Sequence, residues 1–336
     1  MKLRTIGLIS TLALGLLAGP LPTESQQSGK VYRIGQLSNS ARINRRGVEY
    51  RQGSPRKAYR QVLRDLGYVE GQNIVFEWRF SKRKRDRLPA LADELVRLKV
   101  DVLFAHSLTA ALAAKNATRT IPIVFLSAVD PVAAGLVDSL ARPGGNLTGL
   151  THFAPALSGK RLELLKETIP KLSRVCVLWH PGNPGSEQIW KESQRAAPGL
   201  GLQLYSMEVT SANQLEGAFQ EATKAGCTAL AVTQSTLLHG NRERIADLAI
   251  KNRLPAIYSA SRFVRSGGLM SYETNRVEQY RRAAIYVDKI LKGAIPAVLP
   301  VERPRKFELI INLEAARKIG LTMPPEVLYR ATKVIK

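Results

Sequence analysis

The sequence predicts an α/β protein with two doubly wound lobes, each built on a parallel sheet, joined by a multi-crossover hinge with a ligand cleft between them. Short apolar runs, such as DVLFA at 101–105 and IPIVFL at 121–126, alternate with amphipathic helical patterns. Apolar runs of this length are typical of parallel strands covered on both faces. The alternation occurs in two series, and 336 residues are sufficient for two cores.

The first series begins with strand 31–37 and helix 55–66, which ends at Gly67 because glycine readily adopts the left-handed conformation that stops a helix. The other strands predicted for this lobe are 73–79, 101–105, 122–126 and 146–151, and the other helices are 88–98, 110–117 and 132–140.

The second series predicts helices 158–168, 187–197, 213–225 and 242–251 and strands 174–179, 203–208, 228–232 and 256–258. Segment 268–296 adds one strand and one helix, and strand 307–311 precedes helix 313–319. This remainder is too short for a third lobe, so we expect it to be shared. The predicted N-terminal lobe is 31–150 plus about 270–296, and the predicted C-terminal lobe is 151–269 plus about 297–336.

Residues 1–25 have the features of a secretory signal peptide. Lys2 and Arg4 precede an uncharged apolar stretch at 6–18, which glycine and proline interrupt. A membrane anchor is disfavoured because a spanning helix needs about 20 apolar residues. A lipid anchor is disfavoured because no cysteine lies near the end of the stretch. We expect cleavage between residues 18 and 27 and a soluble, exported, periplasmic protein.

The formal net charge is +23, and basic residues crowd the region 42–87. No helix-turn-helix, zinc or strand-borne aromatic signature accompanies them, so a solvated basic face is favoured over a nucleic-acid site. The motifs GxSxG, HExxH and GxxxxGK[ST] are also missing, and we expect neither an enzyme nor a cofactor. Cys176 lies within one predicted strand and Cys227 before another, so their expected stagger predicts two buried free thiols.

Polar side chains that follow the strands form the candidate ligand site, because ligands of open parallel sheets bind at the carboxyl ends of strands. The candidates are Ser38, His106, Ser107, Thr109 and Asp130 from the first lobe, and His180, Asn183, Gln234, Ser235, Thr236, Ser259 and Ser261 from the second. Tyr272 is an aromatic candidate for stacking on a flat ligand, as are Trp179, Tyr258 and Phe263, although core packing is favoured for Trp179.

A zwitterionic solute suggests separate roles for these groups. Ser107 and Thr109 open a helix and suit a carboxylate, whereas Asp130 suits an ammonium group. Asp130 before Pro131 is equally typical of a helix N-cap, and one side chain can serve both roles. The four histidines, at 106, 152, 180 and 239, each follow a strand-like run. We expect hydrogen bonds at the cleft edge from them rather than a metal site, which would need at least three converging ligands.

Several blocks of the chain resemble one known family. They include DRLPALADELVRLKVDVLF at 86–104, SLARPGGNLTGL at 139–150, SGKRLELLKETIP at 158–170 and GGLMSY at 267–272, followed by the segment 286–328. In this order they are similar to the ABC-transporter substrate-binding family related to tryptophan-binding lipoproteins, with a periplasmic binding protein type I-like fold. The resemblance covers nearly all of the chain after about residue 31. Relatives carry a hydroxyl residue where Leu108 stands and glycine where Val129 stands.

The resemblance implies an extracytoplasmic solute-binding receptor of an ABC importer. Such a receptor captures a small amino-acid-like or polar solute by lobe closure and delivers it to an ABC permease and its ATPase. Two alternatives stay open: a cleft hydrolase or isomerase that uses a histidine with Asp130, and a sensor that presents its closed lobes to a membrane receptor.

Overall fold

The computed structural model describes residues 30–39, 54–82, 84–127, 129–151 and 157–336. The predicted signal peptide at 1–25 and His152 lie outside the described residues. The described strands are β1 Tyr32–Ser38, β2 Ile74–Phe80, β3 Val102–Ala105, β4 Ile123–Ser127, β5 Leu147–Thr151, β6 Arg174–Trp179, β7 Gln203–Glu208, β8 Ala229–Val232, β9 Ala256–Tyr258, β10 Met270–Thr274, β11 Phe307–Asn312 and β12 Lys333–Ile335. The described helices are α1 Pro55–Asp65, α2 Leu88–Arg97, α3 Leu108–Ala117, α4 Ser158–Thr168, α5 Pro184–Ala196, α6 Leu215–Lys224, α7 Thr236–Gly240, α8 Arg242–Lys251, α9 Ser261–Val264, α10 Arg276–Leu291, α11 Leu313–Lys318 and α12 Pro325–Tyr329.

These strands form one sheet for each lobe. The first sheet has the order β2-β1-β3-β4-β5, and all of its pairs are parallel. The second has the order β12-β11-β10-β9-β8-β6-β7. Its pairs are parallel except for β10 with β11, which is antiparallel. The predicted α/β class, with two parallel-dominated sheets, is confirmed.

Each sheet is covered on both faces, which explains the continuous apolar runs of its strands. On the first sheet, Leu103 and Phe125 belong to one buried cluster and Phe104 and Val124 to another. On the second sheet, alternating residues of β6 divide in the same way between two clusters. Successive side chains of a strand point to opposite faces, so each lobe has two half-cores separated by its sheet.

The chain passes between the sheets three times in its described order. It leaves the first sheet after β5, returns after β10 when α10 packs against α1, and crosses again before β11. The sequence placed the return near residue 270, but Met270–Thr274 pairs with β9 and β11 in the second sheet, so the return follows Thr274. The exact residue bounds of the lobes stay a prediction.

Two further expectations are corrected. The helix predicted at 132–140 is a series of turns, in which Gly135 adopts a left-handed φ of 66° and stops any helix. The two cysteines are not free: Cys176 and Cys227 form a disulfide with a Cα–Cα distance of 5.7 Å. The predicted stagger assumed that Cys227 lies in extended backbone, in line with the strand that follows it. Instead, Cys227 lies in the turn between α6 and β8, on the sheet face that Cys176 also occupies.

Candidate functional site

A cavity of about 370 Å³ lies where the carboxyl ends of both sheets meet. In each sheet, the order of strands reverses at one point, between β1 and β3 in the first and between β6 and β8 in the second. Residues that follow these four strands line the cavity: Asn39, His106, Asn183 and Gln234. Both topological switch points, the usual ligand sites of open α/β sheets, therefore open onto one cavity.

The remaining lining comes from helix starts and from the segments that join the lobes. These residues are Arg85, Ser107, Leu108, Thr109, Leu126, Val129, Leu157, Arg161, Pro184, Gly185, His239, Ser259, Ala260, Arg262, Glu273, Thr274 and Arg276. The volume is within the range of about 300–1,000 Å³ that small-molecule sites occupy.

The start of α3 presents hydroxyls to the cavity. Ser107 is the N-cap, and its Oγ accepts a hydrogen bond from the Ala110 amide at 3.3 Å. The Ser107 and Thr109 hydroxyls lie 3.2 Å apart. The first N–H groups of a helix lack partners within it and carry a positive partial charge, so this end suits an anionic oxygen.

His106 is held by two hydrogen bonds at the cavity wall. Its Nε2 lies 2.7 Å from Gln36 Oε1, and its Nδ1 lies 2.9 Å from the Tyr280 hydroxyl. Because the Gln36 oxygen can only accept, Nε2 donates and Nδ1 accepts from Tyr280, which defines a neutral tautomer. Burial, followed by the charges of Arg56 and Arg276, lowers the pKa of His106 to about 3.

Glu273 brings a carboxylate to the cavity from β10. Its Oε1 accepts the Ser261 amide at 3.0 Å. Buried Arg161 lies nearby and donates from Nε to the Tyr272 carbonyl at 2.8 Å. Burial lowers the pKa of Arg161 to about 10, and the charge of Glu273 opposes that shift, so Arg161 stays charged near neutral pH.

Six of the thirteen predicted ligand residues line the cavity: His106, Ser107, Thr109, Asn183, Gln234 and Ser259. The other seven, which include Thr236 and Ser261, lie outside its lining. Ser38 is buried at the end of β1, and Ser235 caps α7 by accepting the Leu238 amide. The His180 amide donates to Ser186 Oγ, and the Tyr272 ring stacks on Phe307.

Asp130 also lies outside the lining. Its Oδ1 accepts the Val132 amide at 2.9 Å and the Ala133 amide at 3.4 Å. These hydrogen bonds have the pattern of a helix N-cap, but the segment that Asp130 caps is a turn rather than the predicted helix. The ligand role predicted for Asp130 stays a prediction without a contact to the cavity.

Sequence reasoning missed the charged residues of the cavity. Arg262 follows β9, while Glu273 and Arg276 lie at the end of β10 and just beyond it. All three are polar residues at or just after the end of a strand, so the rule used for the other candidates also predicts them. The candidates drawn from the sequence contained no arginine, and Asp130 was their only acid. Arg161 gave no signal, since one arginine within a helical pattern is ordinarily solvated.

The described ranges hold no group of three or more His, Cys, Asp or Glu side chains placed to hold a metal ion. Among the same residues, every helix is too short or too polar to span a bilayer.

Two lobes with a polar cavity between their sheets define the class of two-lobed solute receptors. The family model "ABC transporter substrate binding protein" matches residues 54–335, and the chain belongs to this family. The protein is accordingly a solute-binding protein of the ABC-transporter type, as the sequence predicted.

Individual relatives agree with this assignment. The chain is 26% identical over 266 residues to a tyrosine-binding protein of Clostridioides difficile, a match covering 79% of this chain and 76% of the relative. A conserved domain protein from Vibrio cholerae has a similar structure, with a TM-score of 0.77, 26% identity and coverage of 91% of this chain and 100% of that one. A domain from Streptococcus pneumonia solved with L-Trp has the same fold, with a TM-score of 0.77, 23% identity and the same coverage.

Proposed function

We propose that the cavity binds a solute with an amino-acid head group, that is, an α-carboxylate and an α-ammonium. The observation that carries the proposal is the pairing of an anion-binding helix start, at Ser107 and Thr109, with the Glu273 carboxylate in one cavity. The tyrosine-binding relative and the L-Trp complex support the same head group, because their ligands share it.

Each charged end of the solute has a suitable partner. The carboxylate is received by the hydroxyls and first amides at the start of α3. The ammonium pairs with Glu273, since Asp130 lies outside the lining and already accepts two amides. Residues of the second lobe, such as Asn183 and Gln234, close over the solute from the other side.

The protein acts by binding rather than by turnover. An enzyme that used a histidine with Asp130 would need a histidine free to exchange protons. Both ring nitrogens of His106 are engaged by Gln36 and Tyr280, and its pKa of about 3 keeps it neutral. A group so held is a poor general base at neutral pH.

The receptor works outside the cytoplasm, in the periplasm, and hands its solute to an ABC permease driven by an ATPase. The signal-like segment at 1–25 supports export. The Cys176–Cys227 disulfide supports an oxidising compartment. The family supports the permease and ATPase as partners.

Isothermal titration of the purified protein with a panel of L-amino acids tests the proposal. At least one should bind, and Glu273→Gln should weaken that binding about 30-fold or more, the effect of losing one partner of a desolvated charged pair. Asp130→Asn is the matched control and should keep the affinity within about twofold. Mass spectrometry after prolonged incubation should recover the solute unchanged. Absence of binding to every amino acid, or equal losses in the two variants, contradicts the proposal.

A further inference from the structure

We propose that the solute carries a second acidic group, as an acidic amino acid does, and that Arg262 and Arg276 bind it. The inference rests on the proposed amino-acid site and adds the chemistry of the side chain.

The described side chains that line the cavity carry more positive than negative charge, and a zwitterionic solute does not offset this excess. Its described lining includes four arginines, at 85, 161, 262 and 276, but one acid, Glu273. The head group of an amino acid adds one charge of each sign and leaves this excess unchanged. A side chain with a carboxylate reduces the excess, and does so in a cleft where closure excludes water and strengthens charge interactions.

Arg262 and Arg276 differ from Arg161 in their partners. Arg161 is buried and donates to the Tyr272 carbonyl, so it serves the fold as well as the cavity. Neither Arg262 nor Arg276 makes a hydrogen bond or ion pair with any residue in the described part of the chain. Burial and then repulsion by the charge of Arg276 lower the pKa of Arg262, and the charge of Glu273 opposes this shift.

The position of Arg276 adds to this repulsion. It is the first residue of the sixteen-residue helix α10, where the helix dipole disfavours a cation. Helices α3 and α5 also begin at the cavity, with Leu108 and Pro184 in its lining. The α-carboxylate of the solute satisfies the start of α3. A second anion then relieves the repulsion among the starts of α5 and α10 and the two arginines, which have no hydrogen-bond or ion-pair partner among the described residues.

His239 supplies a neutral donor beside the arginines. Its Nε2 is buried and has no hydrogen-bond partner among the described residues. Burial, followed by Arg262, Arg276 and Arg242, lowers the pKa of His239 to about 3, so the ring is uncharged. A neutral imidazole can present an N–H to a carboxylate oxygen.

The lining is less suited to an aromatic side chain. Among its described residues are no Phe, Tyr or Trp. The aromatic rings near the cavity wall pack on one another instead, as Trp78 does on Phe80 and His106. An aromatic solute would have only imidazole rings and guanidinium planes on which to stack.

Titration calorimetry at about 0.15 M salt, where long-range steering is screened, tests the inference. L-Glutamate or L-aspartate should bind at least about tenfold more tightly than its amide, L-glutamine or L-asparagine, a difference of about 1.4 kcal/mol. Arg262→Gln and Arg276→Gln should each remove most of this preference. Arg265→Gln is the control: it deletes the same charge one turn from Arg262 but lies outside the cavity lining, and it should keep the preference.

The possible outcomes separate this inference from the proposed function. Equal or tighter binding of the amides or of L-tyrosine overturns the second acidic group and leaves the amino-acid site standing. Binding of succinate or glutarate, without any amino acid, overturns the amino-acid head group but supports the arginine pair as an acid site. Binding of none of these solutes overturns the second acidic group, and binding of no L-amino acid at all overturns the amino-acid site as well.

Discussion

At the residue scale, the neutral state of His106 has a consequence for stability. Its folded pKa of about 3 lies below the ordinary value near 6.5 because burial and two arginines disfavour the charged ring. Between these values the unfolded chain binds the proton and the folded chain does not. Stability is therefore complete above about pH 6.5 and is lost progressively as the pH falls toward 3.

We expect His106→Gln to lose less stability than the unchanged protein between pH 7.5 and 5.0, by about 1–2 kcal/mol. Glutamine retains hydrogen-bonding groups for Gln36 and Tyr280 but does not titrate. Urea unfolding at the two pH values measures the difference. An equal loss in both proteins would mean that His106 contributes nothing to the acid sensitivity.

About half of the ligand residues predicted from sequence line the cavity, because the residues that follow the strands at the switch points of an open parallel sheet lie at its ligand site. His106 and Gln234 were found in this way and line the cavity. Glu273 was missed, although it obeys the same rule, since Asp130 was taken as the acid for the ammonium group. The local sequence of Asp130 suits a cap and a ligand equally well, and its contacts in the structure are those of a cap.

At the element scale, the disulfide ties the centre of β6 to the turn before β8. It closes a loop with a sequence separation of 51 residues, which restricts the unfolded chain more than the folded one. We expect the double variant Cys176→Ala, Cys227→Ala to unfold with about 2–4 kcal/mol less free energy. Chemical denaturation with and without reductant measures this loss.

The reductant provides the control for this prediction. It should destabilise the unchanged protein by a similar amount and leave the double variant unaffected. Two reactive thiols in the untreated, oxidised protein would contradict the disulfide.

Most elements could be predicted because their signals are local. The observed bounds of α4, β6, β7 and α8 coincide with the predicted ones. The prediction of a helix at 132–140 was wrong because Gly135 interrupts a pattern that is otherwise apolar and helical. The prediction of two free thiols failed for another reason. The path of the turn that carries Cys227 across the sheet face is a tertiary feature, and strand register does not reveal it.

At the scale of the whole molecule, the cavity between the two sheets predicts a closing motion. Three crossings join the lobes, and the charged residues of the cavity come from both sides of them. A solute that contacts both lobes favours the closed arrangement by the difference in its affinity for the two states.

We expect the radius of gyration from small-angle scattering to decrease when the titrated solute saturates the protein. Glu273→Gln, measured at the same solute concentration, should retain the radius of the free protein until more solute is added. An unchanged radius at saturation would contradict closure and favour a preformed site.

Helix α10 connects the cavity to the outside of the first lobe. It starts at Arg276 in the cavity. Its last turns are held in the first lobe by the buried ring of Tyr286 and by Asp288, which accepts a hydrogen bond from the Tyr68 hydroxyl at 3.0 Å. A sixteen-residue helix is about 24 Å long. It therefore joins the cavity to the part of the first lobe that packs against α1, so a charge bound at its first turn acts on an element that also supports α1.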